Sequence, residues 1–144
     1  MYSADLIEVK GDISLESVQI YPPTAEESCF KVLQIGSIQP CHMHVGSRIT
    51  LSGSISLDAK QFEINLLQGY SDADDIAFHF NLHFDSRTIV KNHRRNGQWG
   101  QEENQSFPSS MPLKPGSSFN LEITCYSDKY TVNRSFIKSK IRSI

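Results

Sequence analysis

The 144-residue sequence predicts an all-β fold, an antiparallel sandwich of two sheets. Three observations predict it. Apolar residues recur at every second position in short runs, glycines and a Pro-Gly pair separate those runs, and no segment carries a long apolar stripe at helical spacing. A chain of this length forms one domain and buries roughly two-thirds of its unfolded surface.

Taken in order, the tract Tyr21 to Ser28 (YPPTAEES) is rich in proline and acid and reads as a linker or surface loop. "SRITLSGSISL", Ser47 to Leu57, alternates Ile49 and Leu51 with Ser and Thr and repeats the pattern after Gly53. "QFEINLLQG" places Phe62, Ile64 and Leu66 on one face of a strand. "SFNLEITCYSD" does the same with Phe119, Leu121 and Ile123, and "KYTVNRSFI" with Tyr130 and Val132. Gly46, Gly53, Gly69, Gly97 and Pro115-Gly116 are read as the turns between these strands.

Composition excludes several functions. Fourteen basic side chains stand against 16 acidic ones, so there is no basic field for a nucleic acid or an anionic membrane. No apolar run approaches the roughly 20 residues that cross a bilayer. The start, MYSADLIEVK, lacks the basic and apolar regions of a secretory signal. Cys29, Cys41 and Cys125 are odd in number and lack metal-ligand spacing, so they read as free thiols in a reducing compartment.

The stretch "AFHFNLHF", Ala77 to Phe84, carries the first chemical signal. Alternation puts Phe78, Phe80, Leu82 and Phe84 on a buried face and His79, Asn81 and His83 on the other, about 7 Å apart along the strand. A row of neutral donors and acceptors suits a ligand with many hydroxyls; it equally suits a plain solvent-facing sheet. Two widely spaced histidines, even with His42 or His44, do not make a metal site. Glu102 and His79 form no catalytic constellation without a nucleophile signature. Asp72, Asp74 and Asp75 lack the glycine and glutamate of a calcium loop and read as solvated.

Downstream, "RNGQWGQEEN" sets the lone tryptophan, Trp99, between Gly97 and Gly100 just after a turn. An exposed indole there offers a flat apolar plate for the C–H face of a pyranose, galactose above all. A core tryptophan is the competing reading, opposed by the polar neighbours Gln98, Gln101, Glu102 and Glu103.

Together, "HFNLHF", "IVKN" and "NGQWGQEEN" resemble the signature of the galectins, H-x-N-P-R, then V-x-N, then W-G-x-E-x-R. "VGSRITLSGSI", "FEINLLQG" and "KPGSSFNLEITCYSDKYTV" resemble the family's flanking strands, so the resemblance covers roughly residues 30 to 132. It implies a two-sheet, jelly-roll-like sandwich of the galectin/concanavalin type. It further implies a lectin that binds β-galactoside-containing glycans on its concave face, without metal, cofactor or catalysis. By position, His79 and Asn81 match the residues at the galactose 4-hydroxyl and Asn92 the one at the 6-hydroxyl. Trp99 matches the stacking tryptophan, and Glu102 the glutamate that accepts from the sugar and orders nearby arginines.

Two family arginines are absent. His83 stands at the first and Asn104 at the second, and Leu82 replaces the proline that precedes the first in the pattern. Arginine presents five fixed donors with a permanent charge, which His and Asn do not. The implied site, His79, Asn81, His83, Asn92, Trp99, Glu102 and Asn104, is therefore expected to have weakened or altered specificity. The alternative is a galectin scaffold that has lost sugar binding and serves as a protein-interaction module. Arg87, Arg94 and Arg95 are the nearby cations able to substitute. If His83 touches sugar, binding should strengthen as its imidazole gains a proton on acidification.

The ends depart from the family. "DLIEVKGDISLESVQI", Asp5 to Ile20, resembles the closing segment of a galectin but lies at the N-terminus. Residues 1–28 are accordingly read as a closing-strand-like segment plus linker, and 29–144 as the carbohydrate-recognition domain. The segment is either a remnant of an upstream lectin domain or folds back to complete the sandwich. A missing last strand would leave an unpaired edge, a route to a homodimer. Family members are made without signal peptides and act both inside and outside cells, so the resemblance implies a cytoplasmic protein open to secretion without a signal peptide, and the missing signal does not decide between the two.

Overall fold

Twelve strands and no helix make up the described residues, 4–21, 38–68, 75–107, 113–134 and 142–143, of a computed structural model. The first sheet contains β1 (Ala4–Gly11), β3 (Ile38–Met43), β5 (Gln61–Leu67), β6 (Ile76–His83), β7 (Thr88–Arg95), β8 (Gln98–Trp99) and β9 (Glu103–Ser106). Its order is β3-β1-β5-β6-β7-β8, with β9 also paired to β7. The second sheet holds β2 (Ile13–Tyr21), β4 (Arg48–Ile55), β10 (Ser118–Cys125), β11 (Tyr130–Arg134) and β12 (Arg142–Ser143), in the order β12-β11-β10-β4-β2. Every pairing is antiparallel.

The period-two pattern explains the layers. Phe62, Ile64 and Leu66 on β5 and Phe78, Phe80 and Leu82 on β6 are buried, as are Ile49 and Leu51 on β4 and Phe119, Leu121 and Ile123 on β10. The rings of Phe62 and Phe119 meet across the two sheets with centroids 5.0 Å apart. Fully burying one such side chain stabilises the fold by about 1.5–3 kcal/mol, so these inner faces decide which way each strand turns. His79, Asn81 and His83 are left on the outer face of the first sheet.

Residues 4–21 contribute one strand to each sheet. β1 lies inside the first sheet between β3 and β5, and β2 forms an edge of the second. The link at Gly11 and Asp12 is fastened to β5. The Asp12 carboxylate accepts the backbone amides of Lys60 at 2.8 Å and Gln61 at 3.3 Å. Gly11 has φ 114°, and a Cβ there would stand 2.5 Å from the Gln61 carbonyl oxygen.

One turn expectation is corrected. Gly53 lies within β4, paired with Leu15 and Phe119. A Cβ at 53 would come within 2.2 Å of the Ser14 carbonyl oxygen and 3.0 Å of the Phe119 ring. The glycine is there for close approach, where β2 bulges between Leu15 and Ser17. β3, IQPCHM, lacks a strand's signature in the sequence. Pro40 removes a ladder donor, which an edge strand such as β3 tolerates.

Cys125 is a buried free thiol; the side chains of Cys29 and Cys41 lie outside the described residues. So do Gly69, most of the Tyr21 to Ser28 tract, Asp72 and Asp74. Among the described residues no helix is long and apolar enough to cross a membrane.

Removing β1 would separate β3 from β5 and expose two strand edges at once. Deletion of residues 1–21 is expected to abolish cooperative thermal melting and to leave an aggregating chain. A melting curve and solubility equal to those of the full chain would show that the segment plays no part in the fold.

Candidate functional site

Strand register builds the outer face row by row. Glu8 on β1 pairs with Asn65 on β5, Asn65 with His79 on β6, and His79 with Asn92 on β7. One step along, Lys10, Glu63, Asn81, Val90 and Asn104 form a second row, and Gln61, His83, Thr88 and Ser106 a third. Paired residues share a face, so three parallel rows, polar but for Val90, cross the sheet.

The first row is wired together. The Asn65 side-chain amide nitrogen donates to Glu8 Oε1 at 3.0 Å and to Glu63 Oε2 at 2.8 Å. Asn65 Oδ1 lies 2.6 Å from His79 Nδ1. Lys10 Nζ sits 3.5 Å from Glu8 Oε1, and Glu63 Oε2 is 3.6 Å from His79 Nδ1. Asn65 and Glu8 keep only 2 % and 4 % of their surface in contact with solvent, so these bonds replace water that the site has excluded. Burial holds the imidazole of His79 below its ordinary pKa, partly opposed by the charges of Glu63 and Glu102.

Trp99 is placed by a two-residue hairpin. Asn96 and Gly97 have φ of 53° and 77°, and Arg95 pairs with Gln98 across them. Asn-Gly suits such a turn because both positions require the left-handed region. Asp75 secures it from the neighbouring loop, accepting the amides of Asn96 at 2.8 Å and Gly97 at 3.2 Å. Those two bonds lower the pKa of its carboxyl.

A bulge then sets the phase of the returning strand. Arg94 pairs with Trp99 and Lys91 with Glu103, so two residues of β7 oppose three, residues 100–102. In a regular strand Trp99 and Glu102, three apart, would point to opposite faces. The extra residue brings both to the outer face. Asn92 holds the bulge: its Nδ2 donates to the Gly100 carbonyl at 3.1 Å and its Oδ1 accepts the His93 amide at 2.8 Å. The ring of His93 covers Gly100 so closely that a Cβ would meet it at 2.4 Å.

The product is a hollow of about 420 Å³ lined by His79, Asn92, Trp99, Gly100 and Glu102. Trp99 is 48 % exposed, and the His79 ring meets it edge-on with centroids 5.0 Å apart. The Arg94 guanidinium lies 5.4 Å from the centroid of the indole.

Of the seven residues singled out in the sequence, His79, Asn92, Trp99 and Glu102 therefore converge on one hollow. Asn81 lies in the adjoining row, its Oδ1 buried without a hydrogen-bond partner among the described residues. His83 lines a separate hollow of about 460 Å³ with Gly11, Asp12, Lys60, Gln61, Asp85 and Ser86. Asn104 is exposed on β9, opposite Val90. Of the candidate substitute cations, Arg94 stacks on Trp99 and Arg87 lies over Phe107 at 5.1 Å. Among the described residues no three His, Cys, Asp or Glu side chains gather as metal ligands. Sequence reading missed Glu8, Glu63, Asn65 and Asp75. The alternation of Glu8, Glu63 and Asn65 with Ile7, Val9, Ile64 and Leu66 was visible, but not the strands beside them.

The profile of the family described as galactoside-binding lectin matches residues 34–135. The chain belongs to this family, the galectins, which are lectins and not enzymes. It is 35 % identical over 94 residues to Galectin-4 of Bos taurus, covering 65 % of this chain and 27 % of that protein. It is 34 % identical over 103 residues to Grifin of Mus musculus, covering 72 % of this chain and 64 % of that protein. The chain thus spans only about a quarter of the length of the Galectin-4 protein it matches. A variant of human galectin-16 superposes with a TM-score of 0.56 at 25 % identity, covering 70 % of this chain and 71 % of that one.

The turn that carries Trp99 supplies a prediction. Asp75→Ala removes the acceptor for two amides and is expected to lower the melting temperature at pH 7. Because the folded pKa of Asp75 lies below the unfolded value of 3.8, its contribution is complete above that value. It disappears as pH falls through the folded pKa. The gap between wild type and variant should therefore close on acidification below pH 3.8, and a gap that persists in strong acid would contradict the assignment.

Proposed function

We propose that this protein is a carbohydrate-binding lectin for β-galactoside-containing glycans, with the hollow beside Trp99 as its central site. The observation that carries the reading is a half-exposed tryptophan set over a hollow whose other walls are polar: His79, Asn92 and Glu102. The indole offers an apolar plate to the C–H face of a galactose, and the polar groups offer hydrogen bonds to its hydroxyls. Asn92 retains one Nδ2 hydrogen beyond the bond it gives to Gly100. Glu102 offers a carboxylate acceptor in the same hollow. Asn81, His83 and Asn104 stand around this centre, where further parts of a glycan would lie.

Affinity for simple galactosides is expected to be weak. A hydrogen bond to a charged partner contributes about 1.5–3 kcal/mol, roughly a ten- to hundredfold factor in affinity. Positions 83 and 104 carry His and Asn in place of the two arginines of the galectin pattern. Loss of sugar binding on a retained scaffold, leaving a protein-interaction module, is the second reading, favoured by His83 lining a hollow apart from that of Trp99. The N-terminal segment, residues 1–28, serves the recognition domain at 29–144 by supplying β1 and β2. Family membership further suggests a cytoplasmic protein open to secretion without a signal peptide.

Lactose titration by calorimetry, with a glycan array beside it, separates the readings. Wild type should bind weakly and Trp99→Ala not at all, while His83→Arg should strengthen lactose binding roughly ten- to hundredfold. No glycan signal from wild type, and no gain from His83→Arg, would favour the scaffold reading. Tight wild-type binding would refute the argument from the arginines.

A further inference from the structure

The hydrogen bonds of Asn65 determine its orientation. A side-chain amide has two N–H donors on one end and an acceptor-only oxygen on the other. Both donors are spent on carboxylates, Glu8 Oε1 at 3.0 Å and Glu63 Oε2 at 2.8 Å. Reversing the amide would set its oxygen against two other oxygens, in a place with 2 % exposure where water cannot mediate. The oxygen is thereby held 2.6 Å from His79 Nδ1. Only a donor can occupy that contact, so Nδ1 carries the hydrogen. Burial favours the neutral ring, and a neutral imidazole has a single N–H. Nε2 is left as a lone-pair acceptor.

We infer that Asn65, together with Glu8 on the N-terminal strand, is a positioning residue of the site, holding His79 in its Nδ1–H tautomer. The hollow consequently asks its ligand for a hydroxyl that donates to His79 Nε2, and it disfavours a ligand that presents only an acceptor there. Glu8 acts two side chains away from the ligand: it accepts the hydrogen that keeps Asn65 from turning over. This ties the site to β1. The identity of the ligand rests on the lectin reading above, while the tautomer does not.

Acidification should act in the same chain of contacts. The groups that bear on His79 are Glu63 on β5, Glu102 beyond β8, Lys10 on β1 and His83 on its own strand. A second proton on His79 removes the acceptor at Nε2. Lactose binding governed by His79 therefore weakens as pH falls, opposite to the trend expected of a sugar-contacting His83.

The test is nuclear magnetic resonance of the full-length protein with ¹⁵N-labelled histidine, in which long-range nitrogen–proton correlations report which ring nitrogen is protonated. Wild-type His79 at pH 7 should show Nδ1–H. Glu8→Gln, which retains an acceptor, should keep it. Glu8→Ala should introduce the other tautomer, and Asn65→Ala should favour it further, with lactose affinity reduced about tenfold or more in the latter. Wild-type His79 with Nε2–H, or a doubly protonated ring, overturns the inference. So does an unchanged Nδ1–H signal in both alanine variants. If wild type fails to bind lactose but the tautomer shifts as described, the positioning roles stand and the galactoside reading falls.

Discussion

Strand register links the core of this protein to its candidate site. On β1, Ile7 and Val9 are buried between the sheets while Glu8, between them, faces the other way. Slipping β1 by one residue against β5 would drive Glu8 into the apolar core and expose both neighbours. The cost of that exchange, two buried aliphatic side chains and a desolvated carboxylate, enforces a single alignment. With it come the Glu8–Asn65, Asn65–His79 and His79–Asn92 pairings. The hydrophobic effect thus positions a polar row that contains no hydrophobic residue.

The hollow itself depends on a second device, the hairpin and bulge between β7 and β9. Left-handed Asn96 and Gly97 reverse the chain tightly, and Asp75 neutralises the exposed turn amides. The extra residue after Trp99 shifts the strand's phase so that the indole and the Glu102 carboxylate face the same ligand space. Gly100 matters for a related reason: the His93 ring occupies the room a side chain would need. The W-G-x-E spacing is therefore the spacing of a bulged strand.

Sequence and structure diverge where one residue type serves two physical purposes. Gly53 looks like a turn because glycine so commonly supplies one, yet here it permits the Ser14 carbonyl to approach β4. Asp75 looks like part of a solvated acidic loop but anchors the turn that presents Trp99. Glu8 and Lys10 alternate with Ile7 and Val9 as any half-buried strand would. Nothing local reveals that β1 lies inside a sheet, 57 residues away in sequence from its Asn65 contact.

The sequence by itself determined the all-β class, the inward and outward faces of β5, β6 and β10, and the residue types grouped around Trp99. These follow from period-two alternation and short-range turn chemistry, which are local properties of the chain. Tertiary structure alone decided that β1 separates β3 from β5, that Glu8 and Asn65 stand behind His79, and that His83 lines a different hollow from Trp99. Those facts depend on which strands become neighbours, and neighbours are chosen by burial summed over the whole sandwich.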